Sequence, residues 1–215
     1  SYRTTVNFGF GSGITPAVKQ LVIANIAAFV LMILAPKLGF GWAVQWLMLT
    51  PYVVTHQFAV WQLATYLFLH DPFGFSHILF NMLTLWMFGA DLEREWGTRQ
   101  FLRFYFLCGI GAGVCVVAAN AALGGDMQRP TIGASGAIYG LLMAFGVLFP
   151  DRIVLFSFLF PMKAKYFVMI LGAIAFLSSM GSGNSNVSNV AHLGGMIFGY
   201  IYLKSRLGLV RFSLA

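Results

Sequence analysis

Apolar positions fall in six runs along the chain, at 18–35, 76–91, 99–120, 135–149, 164–179 and 190–207, each bounded by charge or by glycine and proline. Their length and near-continuous hydrophobicity predict helices that cross or enter a bilayer. Segment 36–75 carries Trp42, Trp46, Tyr52, Trp61 and Tyr66 with almost no charge, which suits an interfacial, partly re-entrant element. The pattern predicts an all-α polytopic membrane protein, a bundle of six transmembrane helices. An N-terminal segment 1–17 and a tail 208–215 flank a single membrane domain, 18–207.

Composition agrees, with 59% hydrophobic residues, 9% charged residues and a mean hydropathy of +0.81. An ordinary soluble domain carries about 25% charged residues. Cys108 and Cys115 stand seven residues apart in one apolar run, or ~10.5 Å along a helix, too far for a mutual disulfide. The first apolar run lacks a small-residue cleavage site, so no cleaved signal peptide is expected. The absent initiator methionine points to a trimmed N-terminus.

Charge sets the expected topology. If the helices alternate in direction, one side collects Arg3, Lys19, Arg94, Arg99, Arg103, Arg152, Lys163, Lys165, Lys204, Arg206 and Arg211. Only Lys37 and Arg129 fall opposite. That asymmetry predicts cytoplasmic N- and C-termini. The net charge of +7 is then topology and contact with anionic membrane lipids, since no soluble face exists to carry a nucleic-acid surface. The Gly/Ser/Asn run at 181–186 is expected to be a mobile outer loop.

The inner charges also measure depth. Ser135 precedes Asp151 by 16 residues and His192 precedes Lys204 by 12, which puts them ~24 and ~18 Å above the inner edge. His77 and Asn81 precede Arg94 by 17 and 13 residues, or ~26 and ~20 Å. All four fall in the outer half of a ~30 Å hydrocarbon core. His77 and Asn81, four apart, share a helix face. Pro130 and Gly133 place a helix start near Ser135, and the run to Phe149 is too short to cross the core. Such a start leaves backbone N–H groups and the positive dipole end free for a negative oxygen.

These parts suit peptide hydrolysis. Ser135 would attack, His192 would take and return the proton, and the Ser135 N–H with His77 and Asn81 would hold the oxyanion. No Asp or Glu lies at this depth, so a dyad is expected, with Tyr139 one turn below Ser135 packing on the His192 ring. The alternatives are plain packing for the small residues of 133–140 and interhelical hydrogen bonding for an isolated His or Asn. Gly195 and Gly199 form a GxxxG pair expected to bring the last helix against Gly136 and Gly140. No His-Glu-x-x-His motif occurs and no two aspartates are embedded, so no metal and no cofactor is expected.

The constellation resembles the rhomboid intramembrane serine proteases over nearly the whole chain. The matching residues are Gly133-Ala134-Ser135-Gly136, Ala191-His192 followed by Gly195 and Gly199, and His77-Ile78-Leu79-Phe80-Asn81. Gly89, Glu93 and Gly97 match a further signature in which the Glu is structural. The resemblance implies a six-helix rhomboid-like bundle with Ser135 as nucleophile, His192 as base, and His77 and Asn81 as oxyanion donors. It implies a cavity open outward, gated by the fifth helix and capped by 181–189. The family commonly has Trp-Arg where this chain has Trp61-Gln62, a departure that bears on the usual polar anchoring of the first outer loop and not on the chemistry. The lack of an extra helix or a sizeable cytosolic domain matches the simplest prokaryotic-type members and implies a cell inner or plasma membrane. Single-pass transmembrane proteins are the expected substrates. The rival readings are an inactive rhomboid-like protein that binds transmembrane clients, and a small transporter, for which no inverted repeat or coupling-ion group is present.

Overall fold

The computed structural model describes residues 13–156, 160–180 and 186–212, most of them helical. Arg3, most of the 181–186 loop and residues 213–215 lie outside the described residues, as do the Arg206 and Arg211 side chains. The first helix, α1 (Pro16–Lys37), starts on a proline whose missing N–H is no loss in a first turn. The next two amides, of Ala17 and Val18, donate to the Glu93 carboxylate at 2.9–3.1 Å. Thr98 Oγ1 donates to the same carboxylate at 2.6 Å. The buried Glu93 therefore caps the first helix from far along the chain.

The segment that follows folds into short pieces, α2 (Gly41–Gln45), α3 (Pro51–His56), α4 (Gln62–Thr65) and a 3₁₀ turn, Tyr66–Phe68. Trp42, Trp46 and Trp61 stay exposed on it, as suits an interfacial element. A longer helical run comprises α5 (Phe75–Thr84), a π-helical turn Leu85–Gly89, and α6 (Ala90–Trp96). It outlasts the apolar stretch because the charges after Asp91 are accommodated. Glu93 is the cap just described, and Arg94 pairs with Asp91 at 2.9 Å. Gly97, at φ +76°, breaks the run.

α7 (Thr98–Leu123) ends on Gly124 in the left-handed region. Next come α8 (Ser135–Leu148), α9 (Ala164–Ser179) and α10 (Asn186–Phe212), the last extending past both expected ends. One element is a correction to the all-helical expectation. Ile153–Phe156 (β1) and Phe160–Lys163 (β2) pair antiparallel, Ile153 opposite Lys163. The β-branched pair Ile153-Val154 favours strand, but the segment is too short for a pattern to stand out between two helices.

The centre is built from α7, α8 and α10, which approach closely because small residues face one another. A Cβ on Gly195 would collide with the Gly136 carbonyl, and one on Gly140 would sit 2.5 Å from Cys108. Large apolar side chains, by contrast, lie exposed on the outer faces. Ile23, Ile26 and Val30 on α1, Met169 and Phe176 on α9, and Ile197 and Ile201 on α10 are examples. Water would penalise such faces, whereas hydrocarbon solvates them. Among the described residues, α1 and α7 are long and apolar enough to cross a membrane, with mean hydropathies of 2.1 and 2.0.

Candidate active site

Ser135 is the first residue of α8, and no side chain caps that end. The chain reaches it along an extended stretch in which Thr131 bridges Leu49 and the Gly133 N–H donates to the Tyr66 carbonyl at 3.0 Å. Gly133 then turns at φ +122°, where a side chain would be strained. A Cβ there would also lie 3.0 Å from His77 Nε2. Glycine at 133 thus sets the helix start and leaves room for His77.

His192, on α10, places Nε2 2.9 Å from Ser135 Oγ. The ring lies flat on Tyr139, with centroids 4.0 Å apart and planes 2° from parallel. Its Nδ1 is buried and meets no acceptor among the described residues. If Nε2 accepts the serine proton, Nδ1 carries the hydrogen, and the stacked ring alone fixes its orientation. Gly136 lets α7 come near, since a Cβ there would meet Ala112 at 2.6 Å, and it lies in contact with the Ala191 carbonyl of α10.

Ser135, His192, Tyr139, His77 and Asn81 all line one cavity of about 500 Å³. It runs inward past Met87, Phe88, Leu142, Phe167 and Leu171, between the π turn and α9, so its polar end sits above an apolar one. Asn81 Nδ2 donates to the His77 carbonyl at 2.9 Å, which leaves the second amide hydrogen for another acceptor. The described residues hold no cluster of three or more metal-ligating side chains.

Two features escaped the sequence reading. The first is the role of Gln62 in the first outer loop. That side chain is buried, its Oε1 accepts from the Thr50 N–H at 3.0 Å, and its Nε2 donates to the Trp46 carbonyl at 3.1 Å. Trp61 Nε1 donates to the same carbonyl. The loop therefore keeps a polar anchor, with neutral amide bonds where a charge was expected. The second is His70, fully buried with its ring against His77. Lying in an irregular stretch without periodicity, it carried no signal of its own.

Fold and site together define a helical membrane protein with a polar, histidine-rich cavity. The family model for the rhomboid domain matches residues 57–207, and the chain belongs to the rhomboid family. It is 32% identical to YdcA of Bacillus subtilis strain 168 over 66% of this chain and 64% of that one. It is 33% identical to the rhomboid protease GluP of the same strain over 69% of this chain and 26% of that one. Identity to the rhomboid protease GlpG of Haemophilus influenzae is 30%, over 85% of this chain and 88% of that one. The chain thus spans under two thirds of the first two relatives and most of the third.

Proposed function

We propose that the protein is an intramembrane serine endopeptidase that cleaves other proteins in or near their transmembrane segments with a Ser135–His192 dyad. The observation that carries this reading is the 2.9 Å contact between His192 Nε2 and Ser135 Oγ at the wall of an open cavity. His192 takes the Ser135 proton as Oγ attacks the peptide carbonyl, then donates it to the leaving amine. The carbonyl oxygen, now negative, is held by the Ser135 N–H, the second Asn81 amide hydrogen and the His77 ring. The positive end of the α8 dipole adds to that field.

The proposed setting is a six-helix bundle in a prokaryotic inner or plasma membrane, termini cytoplasmic and cavity opening outward. Support comes from the ends of α8. Its last turn leads to Arg152, paired with Asp91, while its first residue is Ser135. The charged end and the reactive end lie about 20 Å apart along one helix. A substrate helix hides its amides in its own hydrogen bonds, so segments with small or helix-breaking residues near the outer edge are the favoured class.

The test is cleavage of a single-pass reporter in liposomes. Ser135→Ala and His192→Ala should each lower the rate by on the order of 10⁴-fold or more, and a serine-directed phosphonate should label wild type at Ser135. Cleavage that survives either substitution overturns the dyad.

A further inference from the structure

The segment between α1 and α5 and the stretch leading to α8 enclose a second cleft of about 460 Å³, separate from the cavity that holds Ser135. That volume lies within the ~300–1,000 Å³ of small-molecule sites. Two indoles, Trp42 and Trp46, and four amides, Gln45, Gln57, Gln62 and Gln128, line it, and no charged side chain does. One wall is fixed. The Trp46 carbonyl accepts from Trp61 Nε1 and Gln62 Nε2 at 3.1 Å each, and the Trp46 ring stacks on Trp61 with centroids 6.3 Å apart. The opposite wall is tied to the same frame, since the Tyr52 N–H donates to the Met127 carbonyl at 2.8 Å and Leu49 pairs with Thr131.

Other lining groups are left open. Gln45, Gln57 and Gln128 are exposed, and their side-chain amides make no hydrogen bond among the described residues. Each offers two N–H donors and a carbonyl acceptor to a ligand. Trp42 is 62% exposed, which leaves its indole free to stack.

This donor set discriminates among the groups found at a bilayer surface. A phosphate or carboxylate meets no cation on the walls and gains none of the charge-assisted bonds that would repay its desolvation. A quaternary ammonium would use the indole faces but leave the amides idle and bring its own phosphate along. A neutral sugar uses both kinds of wall. Its hydroxyls donate and accept as the amides do, and its C–H face packs on an indole. Leu38 and Phe40, just before Trp42 in the chain, stand 67% and 57% exposed and offer an apolar surface to acyl chains.

We propose that the cleft binds one neutral hexose, presented as the headgroup of a membrane glycolipid, with Trp42 stacking on the sugar and Gln45, Gln57 and Gln128 bonding its hydroxyls. The site stands apart from the hydrolytic reading, because no residue lines both cavities.

The test is native mass spectrometry of the full chain released from nanodiscs holding glucosyl-dioleoylglycerol and dioleoyl phosphatidylcholine, phosphatidylethanolamine and phosphatidylglycerol in equal amounts. All four lipids share their acyl chains, so selective retention reports the headgroup. A single glucosyl lipid should be retained about tenfold over each phospholipid. Trp42→Ala should lower that preference about fivefold, and the pair Gln45→Leu and Gln57→Leu, which keeps side-chain size and removes the amides, should abolish it. Circular dichroism and size-exclusion chromatography check that these surface variants fold. Excess methyl β-glucoside, the sugar without the chains, should displace the bound lipid. Equal retention of the four lipids, preference for a phospholipid, a glucosyl preference that survives the leucine pair, or failure of the soluble glucoside to compete would each overturn the proposal.

Discussion

In the proposed dyad His192 has no carboxylate behind it among the described residues, and the flat Tyr139 ring would take the orienting role that an acid plays in a triad. An aromatic contact of this kind is worth about 0.5–1.5 kcal/mol beyond burial. Tyr139→Phe should therefore keep kcat within about twofold, and Tyr139→Ala should lower it two- to tenfold with KM little changed. Steady-state cleavage of the reporter checks both. The serine, the two aligned histidines and Asn81 were legible because each is a polar residue at a countable depth in an apolar run. His70 and Gln62 were not, since both lie in the irregular segment 36–75, where position in sequence says nothing about position in space. Gln62 left the loop's anchoring open in the sequence, because only the fold shows its amide meeting both the Thr50 N–H and the Trp46 carbonyl.

Between α5 and α6 the π turn inserts an offset in helical phase, and this lets one helical run serve two tasks. Above it, His77 and Asn81 face the cavity; below it, Glu93 faces α1. No apolar periodicity marks a π turn, so the run was readable as a helix but its change of face was not. Glu93 is the more consequential half for stability. Glu93→Ala would leave two α1 amides and Thr98 without their acceptor and should lower the midpoint of thermal unfolding in detergent by several degrees. Folded Glu93→Ala enzyme should still be labelled at Ser135 by a phosphonate, because the cap lies at the other end of the bundle. The hairpin between α8 and α9 is held differently. Exposed Asp151 accepts from Lys163 and Lys165 at 3.0 Å each, and these bonds hold its carboxyl below the usual carboxylate range. A depressed acid stabilises the fold above its unfolded pKa and loses that contribution as pH falls through the folded value. The small difference in unfolding midpoint between wild type and Asp151→Asn should therefore be present at neutral pH and shrink as pH falls below the ordinary aspartate range near about 4.

Across the whole molecule, polarity is sorted by end. Asp91, Arg94, Arg152, Asp151, Lys163 and Lys165 interact at one end, while the serine and the histidines occupy the other half. Hydropathy and charge alone were enough to expect that sorting, because a bilayer imposes it on any chain that crosses. Which helices would touch was less visible, and it came from the small residues at 136, 140, 195 and 199 that allow backbones to meet. The Glu93 cap also bears on how the chain is made. Its carboxylate lies 76 residues after the first amide it accepts from, so a ribosome must synthesise everything from α2 into α6 before α1 can be completed. A nascent chain whose α5–α6 run packed the other way up would carry Glu93 away from α1, leaving those amides bare. One hydrogen-bonded acid thus makes the docking of α1 conditional on the orientation of the α5–α6 run.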